Sequence, residues 1–424
     1  MTANPVPTGD AGNARPSASP GTPPPSVPKR TSGAIWEVFV AFLRLGFTSF
    51  GGPVAHLGFF REAFVTRRSW LTDRSYADLV ALCQFLPGPA SSQVGMAIGL
   101  HRAGAFGMLA AWAAFTLPSA ALMVLFAYGV AWLGASAESG WVVGLKAAAV
   151  AVVAHAVFGM AKSLTPDARR ATIAVAALVV VLLVPGSLTQ VVVIALAAIA
   201  GLLVVRPDRT PADGADELRA RVPVAVSIAC LVLFGVLLAG LPALAAMTGD
   251  ETVRLVDVFY RAGALVFGGG HVVLPLLEAE VVQTGLVSHD IFLAGYGAAQ
   301  AVPGPLFTFA AFLGASTESG PTGVLGGTIA LLAIFLPAVL LIIGVLPFWE
   351  RVRRAPRAQR ALGGVNAGVV GILAAALYTP VFTEGITDAW TLSLAAVAFV
   401  ALTAWRAPSW AVVIGAAIIG GFLL

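Results

Sequence analysis

Charge is what this sequence has least of. Only 11% of its 424 residues are Asp, Glu, Lys or Arg, against roughly 25% in an ordinary soluble domain. Hydrophobic residues make up 58% and mean hydropathy is +0.90. A chain this long with so little polar surface does not stay dispersed in water. That excludes the soluble globular, fibrous and disordered classes for most of it. Cysteine is nearly absent too. Cys83 and Cys230 both lie in apolar runs, which excludes a disulfide framework and a thiolate metal cluster. The histidines (His56, His101, His155, His271, His289) show no ligand spacing, so neither a metal nor another cofactor is expected. There is no nucleotide fingerprint, haem motif or cysteine pair, and the chain does not read as an enzyme. A net charge of +4 without a basic patch and interleaved aromatics excludes nucleic acid as a partner. In a membrane protein the basic excess belongs to cytoplasmic loops. Met1 to Lys29 has no apolar h-region and is rich in Pro, Ser, Gly and Thr. Residues 1–33 therefore read as a disordered tail, not a signal peptide.

What is present is apolar sequence in spans. About thirteen segments approach the roughly 20 apolar residues that cross a bilayer. They cover 34–50, 76–100, 105–133, 142–161, 171–184, 188–205, 222–247, 258–275, 291–315, 323–348, 362–382, 390–404 and 408–424. Pro185-Gly186 and Arg406 to Pro408 mark tight turns between short segments. The fold class is an all-α integral membrane protein.

The chain also repeats itself. RLGFTSFGGP (Arg44 to Pro53) matches RAGALVFGGG (Arg261 to Gly270). QFLPGP (Gln84 to Pro89) matches QAVPGP (Gln300 to Pro305). FTLPSAALMV (Phe115 to Val124) matches IFLPAVLLII (Ile334 to Ile343), and GLKAAAV (Gly144 to Val150) matches GVNAGVV (Gly364 to Val370). VVIALAAIAG (Val192 to Gly201) matches VVIGAAIIGG (Val412 to Gly421). Five matches in one order are not chance low complexity. The domains are then a first repeat at 34–205, a linker and connecting helix at 206–252, and a second repeat at 253–424. Basic loops swap places between the copies. Arg61, Arg67, Arg68 and Arg74 follow the first FGG motif, whereas Glu278, Glu280 and Asp290 follow the second. With one connecting span between the copies, the positive-inside rule predicts inverted topology, a cytoplasmic 206–221 linker and an external C-terminus.

The FGG and PGP motifs read as breaks. Two prolines do not fit inside one continuous helix, so Pro87-Gly88-Pro89 and Pro303-Gly304-Pro305 predict re-entrant or broken helices. Such backbone is tolerated at membrane depth only where protein buries it or water reaches it. Inverted repeats broken at matching positions are the recurring plan of secondary transporters. Unwound glycine turns followed by a half-helix offer unpaired N–H groups and a positive dipole end, which suits an anion. The candidate anion site therefore comprises Ser49, Gly51, Gly52, Gly88, Gly268, Gly269, Gly270 and Gly304. Arg44 and Arg261 join it as cations held in apolar runs at a cost of about 2.5–3.5 kcal/mol at mid-membrane. The bland alternative for them is snorkelling to an interface. Gln84 and Gln300 either donate to an oxyanion or satisfy broken backbone. Glu62, Glu278, Glu280 and His271 are the candidates for a coupling proton, and His271 is also a candidate donor to substrate. The alternative for the carboxylates is an interfacial ion pair with a nearby Arg. His56, Ser91, Ser92 and Thr308 lie near the breaks. Lys146 and Asn366 occupy matched positions.

These motifs carry a resemblance. SFGGPVAHLGFF (Ser49 to Phe60), RRSWL (Arg67 to Leu71), CQFLPGPASSQV (Cys83 to Val94), VFGGGHVVLPLL (Val266 to Leu277) and AVPGPLFTFAAFLG (Ala301 to Gly314) are similar to those of the chromate ion transporter family in its long two-domain form. The resemblance covers nearly everything after residue 33. It implies a secondary carrier in the plasma (inner) membrane that exports chromate, driven by protons. Sulfate is also a tetrahedral dianion, so a sulfate-type carrier is the alternative, and a passive anion channel is a further one. The partners implied are an oxyanion, protons and the lipid bilayer; a homodimer is an admissible assembly.

Overall fold

The computed structural model describes residues 32–50, 52–132, 139–184, 187–206, 222–267, 273–349, 352 and 355–423. The 1–31 tail, the 207–221 linker, Pro185-Gly186, Gly51 and the segment Gly268 to Val272 lie outside the described residues. Among those described, all regular structure is helical.

Repeat one runs α1 (Ser32–Thr48), α2 (Gly52–Arg61), α3 (Asp73–Phe85), α4 (Ala90–Trp132), α5 (Gly140–Leu164), α6 (Ala168–Leu183) and α7 (Ser187–Val204). The connecting helix is α8 (Val224–Thr248). Repeat two runs α9 (Glu251–Leu265), α10 (Val273–Leu277), α11 (His289–Ala301), α12 (Phe309–Ala315), α13 (Gly323–Val345), α14 (Pro356–Ala376), α15 (Ala389–Thr403) and α16 (Ser409–Leu423). Among the described residues five helices are long and apolar enough to cross a membrane, α8 being one of them. Along α8 only Ser227 is fully buried, while Val232 and Val236 are more than half exposed. A helix apolar on every side yet hardly covered by protein needs lipid as its solvent.

Other apolar segments form shorter or broken helices, as the FGG and PGP motifs predict. The 258–275 stretch is split between α9 and α10 at non-helical Val266 and Phe267. The 291–315 stretch is split between α11 and α12. The helix α4 spans 43 residues, about 65 Å if straight, twice a bilayer core of ~30 Å. It does not run straight. Ala103 and Gly104 leave helical geometry, Gly104 with φ +70. The two halves fold back until Gly99 and Gly107 touch backbone to backbone. In repeat two, α12 and α13 make the same hairpin, with Gly314 against Gly326.

The repeats exchange partners. The helix α5 of repeat one packs on α15 and α16 of repeat two, and α14 of repeat two packs on α6 and α7 of repeat one. The contacts are reciprocal to the residue. Gly144 lies against the Ala416 carbonyl, and Gly420 against Gly140 and Gly144. Gly364 lies against the Ala197 carbonyl, and Gly201 against Arg360 and Gly364. Small residues are what allow helices to approach this closely where lipid removes the hydrophobic drive. By these contacts Gly420 takes in one copy the place that Gly201 takes in the other, one residue from the Gly421 matched to Gly201 in sequence.

Exposed helix starts are capped by aspartates. The Asp388 carboxylate accepts from the Thr391 N–H and completes a capping box at α15. The backbone N–H of Thr391 holds this carboxyl below the usual carboxylate range. A lowered folded-state pKa adds stability that is full above the unfolded pKa and lost as pH falls through the folded one. Asp388→Ala is expected to lower the melting temperature of the detergent-solubilised protein at neutral pH. The gap from wild type should narrow on acidification; a constant gap would contradict the cap's role.

Candidate functional site

The first FGG break and both PGP breaks lie where the sequence places them, and the PGP turns dock on the opposite repeat. In repeat one, α1 ends at Thr48 and α2 begins at Gly52 with φ +76. The α3–α4 break is Leu86 to Pro89, with Gly88 at φ +118. In repeat two, the α11–α12 break carries Gly304 at φ +99. Only glycine takes these backbone angles at no steric cost. The N–H of Gly88 donates to the Val266 carbonyl at 2.7 Å, and that of Gly304 donates to the Ser49 carbonyl at 3.0 Å. Ser49 and Val266 are themselves matched positions, each just before its FGG motif. Each PGP turn is thus anchored to the unwound segment of the opposite repeat.

Buried polar groups gather around this double junction. Ser49, His56, Ser91, Ser92, Gln93, Thr116, Ser119 and Thr308 are all nearly inaccessible. His56 Nε2 lies 3.1 Å from the Ser49 carbonyl and Nδ1 lies 3.3 Å from Ser91 Oγ. A carbonyl only accepts, so the ring hydrogen is assigned to Nε2, and Nδ1 accepts from the serine hydroxyl. The Phe115 ring closes edge-on against the imidazole at 5.3 Å. Gln93 Nε2 donates to the Pro87 carbonyl at 2.8 Å, bracing the first PGP turn. Ser119 Oγ and Thr308 Oγ1 lie 2.6 Å apart and bridge the repeats beside the second. Four polar atoms in this region have no hydrogen-bond partner: Ser49 Oγ, Ser92 Oγ, Gln93 Oε1 and Thr116 Oγ1. Buried polar atoms normally find a partner. Three of these are hydroxyls able to donate. Ser91, Ser92 and Gln93 sit in the first turn of α4, whose leading N–H groups have no partner within the helix.

Ser49, Gly88 and Gly304 are therefore brought together across the repeats, and Gly52 starts α2 beside them. Other candidates are placed elsewhere. The Arg44 and Gln84 side chains are exposed, so neither is among the buried polar groups. Arg261 is enclosed by two carboxylates, Asp257 Oδ2 at 2.5 Å and Glu280 Oε1 at 2.9 Å. The matched arginines thus differ in surroundings, a correction to treating them as equivalent cations. Gln300 is half-buried at the end of α11. Glu62 is exposed and pairs with Arg67 at 2.9 Å. The hydrogen bond from Arg67 holds its carboxyl below the usual range, so it stays ionised at neutral pH. Glu278 begins the π-helical turn after α10 and is half-buried. Gly51, Gly268, Gly269, Gly270 and His271 lie outside the described residues. Lys146 is buried on α5 and reaches across to Asp290 on α11 at 2.7 Å.

Sequence reasoning missed Gln93, Thr116, Ser119 and Asp257. Gln93 follows the PGP turn by one helical turn, a signal that was available. Thr116 and Ser119 lie in the matched run FTLPSAALMV, but their counterparts Phe335 and Ala338 are apolar, so the repeat itself did not mark them.

Helices broken at corresponding places in two copies, with unwound ends meeting inside apolar protein, have the architecture of secondary membrane transporters. Comparison with known proteins agrees. The chromate transporter family matches residues 36–202 and again 253–421, and the chain belongs to that family. Among its relatives is a chromate transport protein of Pseudomonas aeruginosa, 27% identical over 379 residues, with 87% of each chain covered. Another is a chromate transport protein of Cupriavidus metallidurans, 27% identical over 396 residues, covering 91% of this chain and 92% of that one. An uncharacterized transporter of Methanocaldococcus jannaschii is 26% identical over 349 residues, covering 82% and 84%.

Proposed function

We propose that the protein is a proton-coupled secondary carrier that exports chromate across the plasma membrane. The observation that carries this reading is the reciprocal docking of the two PGP turns, surrounded by buried hydroxyls without partners. A tetrahedral dianion needs several donors converging from different directions and little room for Cβ atoms. Ser49, Ser92 and Thr116 supply hydroxyls, and the α4 N-terminus supplies backbone N–H groups and a positive dipole end. The anion replaces water as their partner. Gly88 and Gly304 keep the wall thin on either side of the junction. Because each turn is held by the opposite repeat, rocking one repeat against the other opens the junction to one face at a time. Family membership supports chromate as cargo, and the size and charge of sulfate make it the natural competitor.

The test is uptake of radiolabelled chromate into everted membrane vesicles, with sulfate as competitor and a protonophore as control. The expected result is uptake that depends on the protein and collapses with the pH gradient. Uptake indifferent to the protonophore would indicate a passive channel, and no uptake under any gradient would remove chromate as the cargo.

The repeats are, on this reading, inverted in the membrane, with Arg61 to Arg74 cytoplasmic and their repeat-two counterpart external. Single cysteines at the exposed positions Arg67 and Gln283, in a background lacking Cys83 and Cys230, should label from opposite sides with an impermeant maleimide. Labelling from one side would contradict inversion.

A further inference from the structure

The helices α6 and α7 are neighbours, yet both lean on α14 of the other repeat more than on each other. Gly371 of α14 lies against the Ala174 carbonyl and Ala177, and Gly364 and Gly368 lie against Ala197. Between α6 and α7 there remains an open groove of about 470 Å³, within the roughly 300–1,000 Å³ of ordinary ligand sites. Its floor is buried Ile173, Ala177, Val193 and Ala197, and its rims are the exposed Val180, Leu196 and Val204. The floor is thus the seam where repeat one meets α14. One lining residue is charged, Arg169, and it sits at one end. Arg169 belongs to the first turn of α6 and is exposed. Its Nη1 donates at 3.0 Å to the carbonyl of Val204, the last residue of α7. That bond uses one of the guanidinium's five N–H donors. From Arg169 to Val180 on α6, and from Val204 back to Val193 on α7, the groove runs about 16 Å at 1.5 Å per residue. Half of a ~30 Å hydrocarbon core is the same depth. An apolar trough as deep as one leaflet, with a cation at its mouth, has the proportions of a lipid tail beneath a phosphate.

We propose that this groove holds one anionic phospholipid, with an acyl tail between α6 and α7 and its phosphate on Arg169. The tail supplies apolar burial, and the guanidinium supplies the preference for a negative headgroup, as basic residues at clefts between membrane helices do. Further charges at this end suit the same ligand. Lys162 and Arg206 are exposed. Arg170 pairs with Asp167 at 3.4 Å. The Asp167 carboxylate is turned to capping α6, where Oδ1 accepts from the N–H groups of Arg169 and Arg170. In repeat two the position matched to Arg169 is Ala389, so the cation at the mouth belongs to one copy. None of the lining residues belongs to the junction of the PGP turns, and the proposal does not depend on which anion is carried.

The experiment is native mass spectrometry of the purified full-length protein, titrated with phosphatidylglycerol or with phosphatidylcholine of the same chain length. Wild type should hold phosphatidylglycerol about fivefold more tightly, the weight of one cation at an anionic headgroup. Arg169→Gln should bring the two affinities level. Arg169→Lys keeps the charge and should keep most of the preference. Ala176→Phe places a ring at an exposed lining position and should weaken both lipids alike. Melting in detergent is the second readout. Phosphatidylglycerol should raise the melting temperature of wild type by mass action but not that of Arg169→Gln, and inorganic phosphate at the same concentration should raise neither. Undiminished discrimination in Arg169→Gln, its loss in Arg169→Lys, binding indifferent to Ala176→Phe, or equal stabilisation by inorganic phosphate would each overturn the proposal. So would dimers free of lipid that Ala176→Phe splits, since the groove would then be filled by a second copy.

Discussion

Gly304→Ala is expected to abolish chromate transport, and Gly88→Ala to do the same from the opposite repeat. Both glycines hold positive φ, +99 and +118, where a Cβ costs of order 1–2 kcal/mol in backbone strain alone. The space is also taken. A Cβ on Gly304 would come within 3.1 Å of Ser119 Cβ and 3.2 Å of the Phe115 carbonyl oxygen. A Cβ on Gly88 would come within 2.9 Å of Gln93 Nε2, the atom bracing the Pro87 carbonyl. The methyl therefore moves the turn off the opposite repeat and loosens the bonds to Ser49 and Val266. Displacement of about 1 Å at a site built for one geometry costs on the order of 10²-fold in rate. Vesicle uptake normalised to inserted protein checks this. Gly159→Ala, where an added Cβ meets nothing within 4 Å, is the control that should transport normally. Wild-type flux in both turn variants would mean that the junction plays no part.

The second large effect is on assembly. Gly144→Leu and Gly364→Leu should each destabilise the protein by about 3 kcal/mol or more, the upper range for overpacking. The obstacle at each site is a backbone carbonyl, that of Ala416 or Ala197, and backbone does not move aside as a side chain can. Because the two contacts are reciprocal, the losses should be similar. Thermal unfolding in detergent reads them out. Gly415→Leu on the same helix as Ala416 has open space and should leave the melting temperature nearly unchanged. Equal melting of all three variants and wild type would contradict the exchanged packing.

Much of this is legible in the sequence. A membrane class follows from the scarcity of charge alone. The matched FGG and PGP motifs mark the breaks because proline and glycine act locally, through the chain's own geometry. What sequence did not reveal is which break meets which. The hydrogen bonds of Gly88 to Val266 and of Gly304 to Ser49 cross between repeats, and no spacing within one repeat encodes them. Arg44 and Arg261 make the same point about charge. Their spacing to FGG is identical, yet one side chain is exposed and the other lies between Asp257 and Glu280. Asp257 precedes Arg261 by one helical turn and was readable as a partner; Glu280 became one only through the fold. The buried hydroxyls of Thr116 and Ser119 sit in an apolar run where backbone bonding is the default expectation. Only the crossing of α4 with repeat two brings Ser119 against Thr308 beside the second PGP turn.

On the proposed reading the junction of the two repeats is a carrier site for chromate. The most direct measurement is counterflow in proteoliposomes of the purified protein. Vesicles preloaded with unlabelled chromate are placed in a trace of labelled chromate without any pH gradient or membrane potential. A carrier predicts transient accumulation of label above the outside level, abolished by Gly88→Ala or Gly304→Ala and competed by sulfate in proportion to its affinity. Label that only equilibrates, at a rate indifferent to what the vesicles contain, would contradict the claim.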